Sequence, residues 1–287
     1  MTDIPSRTVI VTVSYDSLAV MPAFLGSVAA ASTGPVTVYI ADNKPESPAR
    51  GELERVIAEY GGVYRPMTGN LGYGHAINTV VGTLPETVEF VLISNPDVVL
   101  GAESLDRMQA AIEAEDDIAA VGPRIRAVDG STYPSARSVP SLRSGVGHAV
   151  FGTIWPTNPW TRRYRNQTGE QVVRRDAGWL SGACLLVRRS AFRALDGFDT
   201  DYFMYFEDVD LGYRFGKAGW RNVYEPSAEV LHTGAHSTTT ESARMLDAHH
   251  ESAKRFLNRK YTGPLLAPVR WALSAGLTLR AWIAKRR

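Results

Sequence analysis

Three acids within four positions, Glu207, Asp208 and Asp210, stand in the run FEDVDLGYR. Acids at a helix start favour the positive end of its dipole. This cluster, flanked by aromatics, is denser than capping requires, so Glu207 and Asp208 are assigned catalysis and Asp210 is left to cap or brace. A second candidate is Asp97 in ISNPDVVL, residues 93–100, where an apolar run ends in Asn95-Pro96-Asp97. Pro96 stops the strand and restricts how its neighbours are presented. An aspartate there suits a hard divalent cation shared with phosphate oxygens, or else forms an Asx-type turn.

Asp42-Asn43 closes the run VTVYIADN, as a turn or as a carboxylate that accepts the imide N–H of a pyrimidine. GNLGYG, residues 69–74, lacks the GxGxxG spacing and the Lys-Ser/Thr of a P-loop, and Asp42 precedes it rather than following. It reads as a tight turn before a helix, or as one lying against a nucleotide or sugar with the helix N-terminus toward phosphate. Among six histidines, His232 at a strand end is the first ligand candidate and His236 the second. HTGAH is not HExxH, and the single cysteine, Cys184, excludes common structural zinc sites and an internal disulfide.

The elements that must position these groups alternate. Strands are expected at 8–15, 36–43, 63–66 and 89–100, with helices at 21–32, 51–62, after GNLGYG, and at 104–115. Strands apolar nearly throughout and alternating with helices imply an α/β fold with a parallel sheet covered on both faces. Ligands bind at the carboxyl ends of such strands, where Asp42, Gly72 and Asp97 gather. Residues 122–177, rich in Pro, Ser, Arg and aromatics, read as long loops over the site. A buried strand and helix start follow at 178–192, then a helix from about 208 and a strand pair in RNVYEPSAEVLH.

The chain has 287 residues, a formal net charge of +1, 44% hydrophobic and 21% charged residues, an ordinary globular balance that argues against nucleic acid as partner. The start MTDIPSR carries no signal-peptide pattern, and no stretch reaches about 18 apolar residues, so a cytoplasmic location is expected. From 264 the tail sets Trp271, Leu273, Leu277, Leu279, Trp282 and Ile283 among basic residues. That composition fits either an interfacial helix on anionic lipid or a helix docked on the domain.

The order VTVSYD, IADN, NLGYGHAIN, ISNPDV, WLSGACLLVRRSAF, FMYFEDVDLGYRFGKAGW, VLH resembles the family 2 glycosyltransferases, over residues 8–236, and is most similar to the rhamnosyltransferases among them. The resemblance implies a GT-A, Rossmann-like, mostly parallel sheet flanked by helices over 1–236. Its nucleotide part would span about 1–121 and its acceptor part 122–236; residues 237–287 read, from the tail's composition, as a C-terminal helical segment that associates with membrane or docks on the domain. It implies Mg2+ or Mn2+ and a nucleotide-sugar donor, dTDP-β-L-rhamnose. The acceptor it implies is a polyprenyl-diphosphate-GlcNAc lipid met at the inner membrane face. By its motifs Tyr15 borders the base, Asp42 reads the pyrimidine, Asn70 and Gly72 pack on the nucleoside, and Asn78 follows on the next helix. Asp97 holds metal with His232, while Asn95 stands where the family often has its first aspartate. Gly182 and Ala183 face the transferred sugar, and Asp208 is the base with Glu207 beside it. Arg124, Arg137 and Arg143 are candidates for the acceptor diphosphate. Oligomeric state stays open, a homodimer among the options.

Overall fold

The computed structural model describes residues 6–141, 173–234 and 242–268, with Trp271 and Ala275. The first half follows the alternation in the sequence: β1 (Thr8–Ser14), α1 (Met21–Ala31), β2 (Thr37–Asp42), α2 (Arg50–Glu59), β3 (Val63–Pro66), α3 (Tyr73–Thr83) and β4 (Phe90–Ser94). It continues with β5 (Val98–Leu100), α4 (Ser104–Glu113) and β6 (Ile118–Arg126). Short strands β7 (Thr132–Tyr133), β8 (Ala136–Arg137), β9 (Arg175–Ala177) and β10 (Trp179–Leu180) precede β11 (Cys184–Arg188). The chain then forms α5 (Arg189–Ala194), α6 (Glu207–Lys217), β12 (Arg221–His232), α7 (Ser242–Lys260) and a 3-10 turn (Pro264–Leu266).

The main sheet runs β3-β2-β1-β4-β11-β6-β12-β5. Strands β3, β2, β1, β4, β6 and β12 point one way, and β11 and β5 the other, so the sheet is mixed but mostly parallel. Every residue of β1 is buried, because neighbours along a strand face opposite ways and helices cover both faces. Ile10 packs with Phe24, Leu53 and Met108 from α1, α2 and α4. Val9 and Val11 face the other way, toward Ile77, Phe192 and Phe215 from α3, α5 and α6.

Three expectations need correction. The apolar run 89–100 is two strands: β4 lies between β1 and β11, whereas β5 pairs antiparallel with β12 at the opposite edge. Asn95-Pro96-Asp97 is the turn between them. The expected strand pair in 221–232 is one strand, its register broken between Glu225 and Glu229 around Pro226, which has no N–H for a ladder. Part of the expected loop region is ordered strand: β6 extends through Gly122 and Pro123 to Arg126, with β11 opposite only Ala120 and Val121, so Pro123 costs that pair no hydrogen bond. Residues 142–172, Arg143 among them, and His236 lie outside the described residues.

The C-terminal segment starts as part of the domain. Phe256 of α7 is buried against Tyr202 and Val209, and Ser252 Oγ donates to Met204 O at 2.9 Å. Among the described residues no helix is long and apolar enough to cross a membrane. The tail beyond 268 is described only at Trp271 and Ala275, both exposed.

Candidate active site

Two turns and one glycine segment converge at the carboxyl ends of the central strands. Asn95 N–H donates to Ala183 O at 2.9 Å, tying the turn after β4 to the approach to β11. One residue earlier, Gly182 N–H donates to Asp208 Oδ2 at 2.9 Å. A Cβ on Gly182 would stand 3.4 Å from the Asp208 Cβ, so the absent side chain leaves the carboxylate room to approach the peptide. The Gly182-Ala183 segment therefore joins the Asp97 turn to the acidic start of α6.

On the first side, β5 and β12 pair with Val98 opposite His232. That register sets the imidazole beside the preceding residue, and His232 Nε2 lies 3.1 Å from Asp97 Oδ1. Thr233 N–H and its hydroxyl both donate to Asp97 O, at 3.0 and 3.1 Å, which fixes the turn against the end of β12. The Tyr133 ring meets the imidazole edge-on at 6.5 Å. A cavity of about 440 Å³ opens here, lined by Arg126, Tyr133, His232 and Thr233. Among the described residues no third His, Cys, Asp or Glu joins Asp97 and His232 as a metal-binding group. One carboxylate and one imidazole in contact fit a cation whose remaining ligands come from substrate phosphates and water.

On the second side, Tyr205 and Phe206 hold positive φ, 67° and 66°, directly before Glu207. Side-chain-bearing residues in that region cost about 1–3 kcal/mol each, and such strain collects at functional sites. It turns the chain sharply so that Glu207 and Asp208 enter the site at the first turn of α6. Both acids have raised proton affinity. Burial pushes Glu207 up to about 8, with the Asp208 charge adding to it. Burial also raises Asp208, opposed by the N–H groups of Gly182 and Val209 and by the Arg137 charge. Glu207 Oε2 has no hydrogen-bond partner among the described residues, which favours its neutral form. Of the two, Glu207 has the surroundings that favour a neutral acid and Asp208 those that favour a carboxylate. Asp210 braces as expected: fully buried, it binds Arg214 at 2.6 Å and lies 3.3 Å from Arg259 of α7.

Tyr73 links the two sides and was missed in a motif read for its glycines. Its hydroxyl donates to Gly182 O at 3.0 Å, and burial together with the charges of Glu207, Asp208 and Asp97 holds its pKa well above the ordinary value. Gly72, at φ 104°, allows this placement: a Cβ there would lie 2.5 Å from Phe203 O, the acceptor of Tyr73 N–H at 3.1 Å.

At the β1–β3 edge, Asp42 is 2% exposed, accepting from Tyr64 Oη at 2.7 Å and from Lys44 N–H at 3.0 Å. Tyr15 is exposed, with the Lys44 ammonium 5.2 Å from its ring centre. Asn70 Oδ1 accepts from Asn43 Nδ2 at 3.2 Å and from Gly72 N–H at 3.3 Å, closing the glycine loop onto β2. The Asn78 amide donates to Phe198 O at 2.8 Å and accepts from Phe198 N–H at 3.0 Å, so it clamps α3 to the loop before α6.

The family described as glycosyltransferase like family 2 matches residues 5–251. This chain belongs to that family. The enzyme is 46% identical to N-acetylglucosaminyl-diphospho-decaprenol L-rhamnosyltransferase of Mycobacterium tuberculosis, in alignments covering 96% of this chain and 92% of the relative in strains CDC 1551 and H37Rv. It is 28% identical to rhamnosyltransferase WbbL of Escherichia coli K12, over 72% of this chain and 78% of that one. Among solved structures, the glycosyltransferase resembles mannosyltransferase PcManGT from Pyrobaculum calidifontis in complex with GDP-Man and Mn2+. The TM-score is 0.59 at 15% identity, covering 96% of this chain and 70% of that chain. It also resembles GalNAc-T7 with UDP, GalNAc and Mn2+, with TM-score 0.61 at 13% identity over 87% and 47% of the two chains. These likenesses show the GT-A fold.

Proposed function

We propose that the enzyme transfers L-rhamnose from dTDP-β-L-rhamnose to the 3-hydroxyl of GlcNAc on a polyprenyl-diphosphate lipid, inverting the anomeric centre, in assembly of a cell-wall linker. What carries this reading is the end-to-end likeness to the M. tuberculosis rhamnosyltransferase, 46% identical over 96% of this chain. The geometry supports the chemistry: one ionised carboxylate, Asp208, sits beside the glycine segment expected to face the sugar, with the neutral Glu207 next to it. A single base serves an inverting displacement. Asp208 takes the proton from the acceptor hydroxyl as that oxygen attacks the anomeric carbon. Tyr73 and Gly182 hold the segment that sets this carboxylate in place.

Asp97 and His232 would hold Mg2+ or Mn2+, and a bound divalent ion supplies positive charge against the leaving diphosphate. Tyr15, Asp42 and Asn70 border the nucleoside on this reading, with Gly72 giving the loop its close approach. The acceptor is lipid-linked, so the enzyme works as a peripheral protein at the inner membrane face, with the basic, Trp-bearing tail against the surface. Transfer from labelled dTDP-rhamnose to a polyprenyl-diphosphate-GlcNAc, with the linkage read by NMR, tests the reading. An α-1,3 rhamnoside is expected, with thermal stabilisation by dTDP-rhamnose over UDP-sugars in Mn2+. Equal stabilisation by UDP-sugars and no rhamnosyl product overturns it.

A further inference from the structure

Arg137 is a cation beside the base that the proposed chemistry leaves without a use. Strands β8 and β10 pair antiparallel with Arg137 opposite Trp179. The ribbon leads directly into Gly182, whose N–H holds Asp208. Arg137 Nε donates to Pro134 O at 2.8 Å, and its guanidinium lies 5.6 Å from the Trp179 ring centre and 5.8 Å from that of Tyr133. Two rings and one hydrogen bond therefore hold the guanidinium in place. Among the described residues no carboxylate pairs with it, and the terminal nitrogens have no acceptor. Its charge instead reaches Asp208, whose proton affinity it lowers.

The neighbouring arginines differ. Arg124 and Arg126 both reach the Glu229 carboxylate, at 3.4 and 3.2 Å, and so have their counter-charge within the protein. A guanidinium held near two aromatic rings, its terminal nitrogens unengaged among the described residues, can offer its fork to two oxygens of a phosphate group. The Tyr133 ring, which touches Arg137, also meets His232, so the site extends from the candidate metal pair to the base.

We infer that Arg137 binds a diphosphate, and that it is the one on the lipid-linked acceptor, holding that substrate so its sugar hydroxyl meets Asp208. This rests on the function proposed above, in which Asp97 and His232 serve the donor diphosphate. Arg137→Gln and Arg137→Lys are to be compared with wild type for KM of each substrate, using polyprenyl-diphosphate-GlcNAc and an alkyl GlcNAc glycoside lacking the diphosphate. Both variants are expected to raise KM for the diphosphate acceptor roughly 10- to 100-fold, as for losing a hydrogen bond to a charged group, with donor KM little changed. On the alkyl glycoside, variant and wild type are expected to match in KM.

A rise confined to donor KM assigns the contact to the nucleotide sugar and overturns the acceptor assignment. Equal losses on both acceptors, or none, overturn the diphosphate contact itself. Unchanged melting temperature shows the variants are folded, and Arg137→Lys keeps the charge if Arg137→Gln does not fold. Calorimetry of pyrophosphate in EDTA tests the contact even if wild type moves no rhamnose: wild type is expected to bind and Arg137→Gln not to. Equal binding by the two, or none by wild type, counts against it.

Discussion

Asp97 and Asp208 are both aspartates at turns against the Gly182-Ala183 segment, yet their surroundings differ. Asp97 sits 3.1 Å from the His232 imidazole, beside an open cavity. Asp208 is half-buried next to the buried carboxyl of Glu207, with a peptide N–H and a nearby guanidinium as its stabilising neighbours. One arrangement offers two Lewis-basic atoms to a cation. The other sets a buried acid beside a half-buried one, and burial with like charge raises the proton affinity of both. Residue type is the same at both sites, and the neighbours assign the chemistry.

The comparison breaks most sharply at the base. Asp208→Asn is expected to lower kcat by roughly 10²- to 10⁴-fold, with nucleotide affinity within a few-fold by calorimetry. Full activity in that variant removes Asp208 from the mechanism. At the other aspartate, Asp97→Asn and His232→Gln should shift the dependence on Mn2+, each raising by roughly 10- to 100-fold the metal concentration needed for half activity. Asn95→Asp adds the carboxylate this turn lacks and is expected to move that dependence the opposite way.

Glu207 sharpens the contrast through pH. Its folded-state value, about 8, lies above the ordinary 4.5, so the folded protein keeps a proton that the unfolded chain releases. Its stabilising contribution is complete below about 4.5 and is lost as pH rises toward about 8. Glu207→Gln, which imitates the protonated carboxyl, is expected to flatten the fall of melting temperature across that range. A slope equal to wild type counts against the buried neutral acid. The smallest effect belongs to the brace behind the site: Arg259→Gln, removing the partly exposed partner of Asp199 and buried Asp210, should lower melting temperature by about 2–4 °C.

Much of the nucleotide-side half was legible because its contacts are local in sequence. Alternating strands and helices gave β1, β2 and β3 and their helices within a few residues, and apolar runs without alternation announced strands covered on both faces. The second half was less legible. ISNPDVVL reads as one strand because β-branched residues flank the turn on both sides, and only pairing shows that β4 and β5 belong to different parts of the sheet. Asn78 gave no sign that its amide would be taken by Phe198, 120 residues away. Tyr73 was overlooked for the same reason, since its partner Gly182 is 109 residues distant.

The sequence by itself determined the family's motif order, the alternating elements, the density of acids at 207–210, the aspartate behind a proline at 97 and the histidine at the end of a strand. These follow from composition, spacing and periodicity, which act over short stretches of chain. Tertiary structure decided which acid has the surroundings of a neutral carboxyl, that His232 stands beside Asp97, and that α7 packs against Tyr202 and Val209. It also decided that Arg137 stands near the Tyr133 and Trp179 rings, with no carboxylate paired to it among the described residues. Those outcomes depend on burial and on register between distant strands, because proton affinity and metal binding are set by what lies within a few ångströms in space.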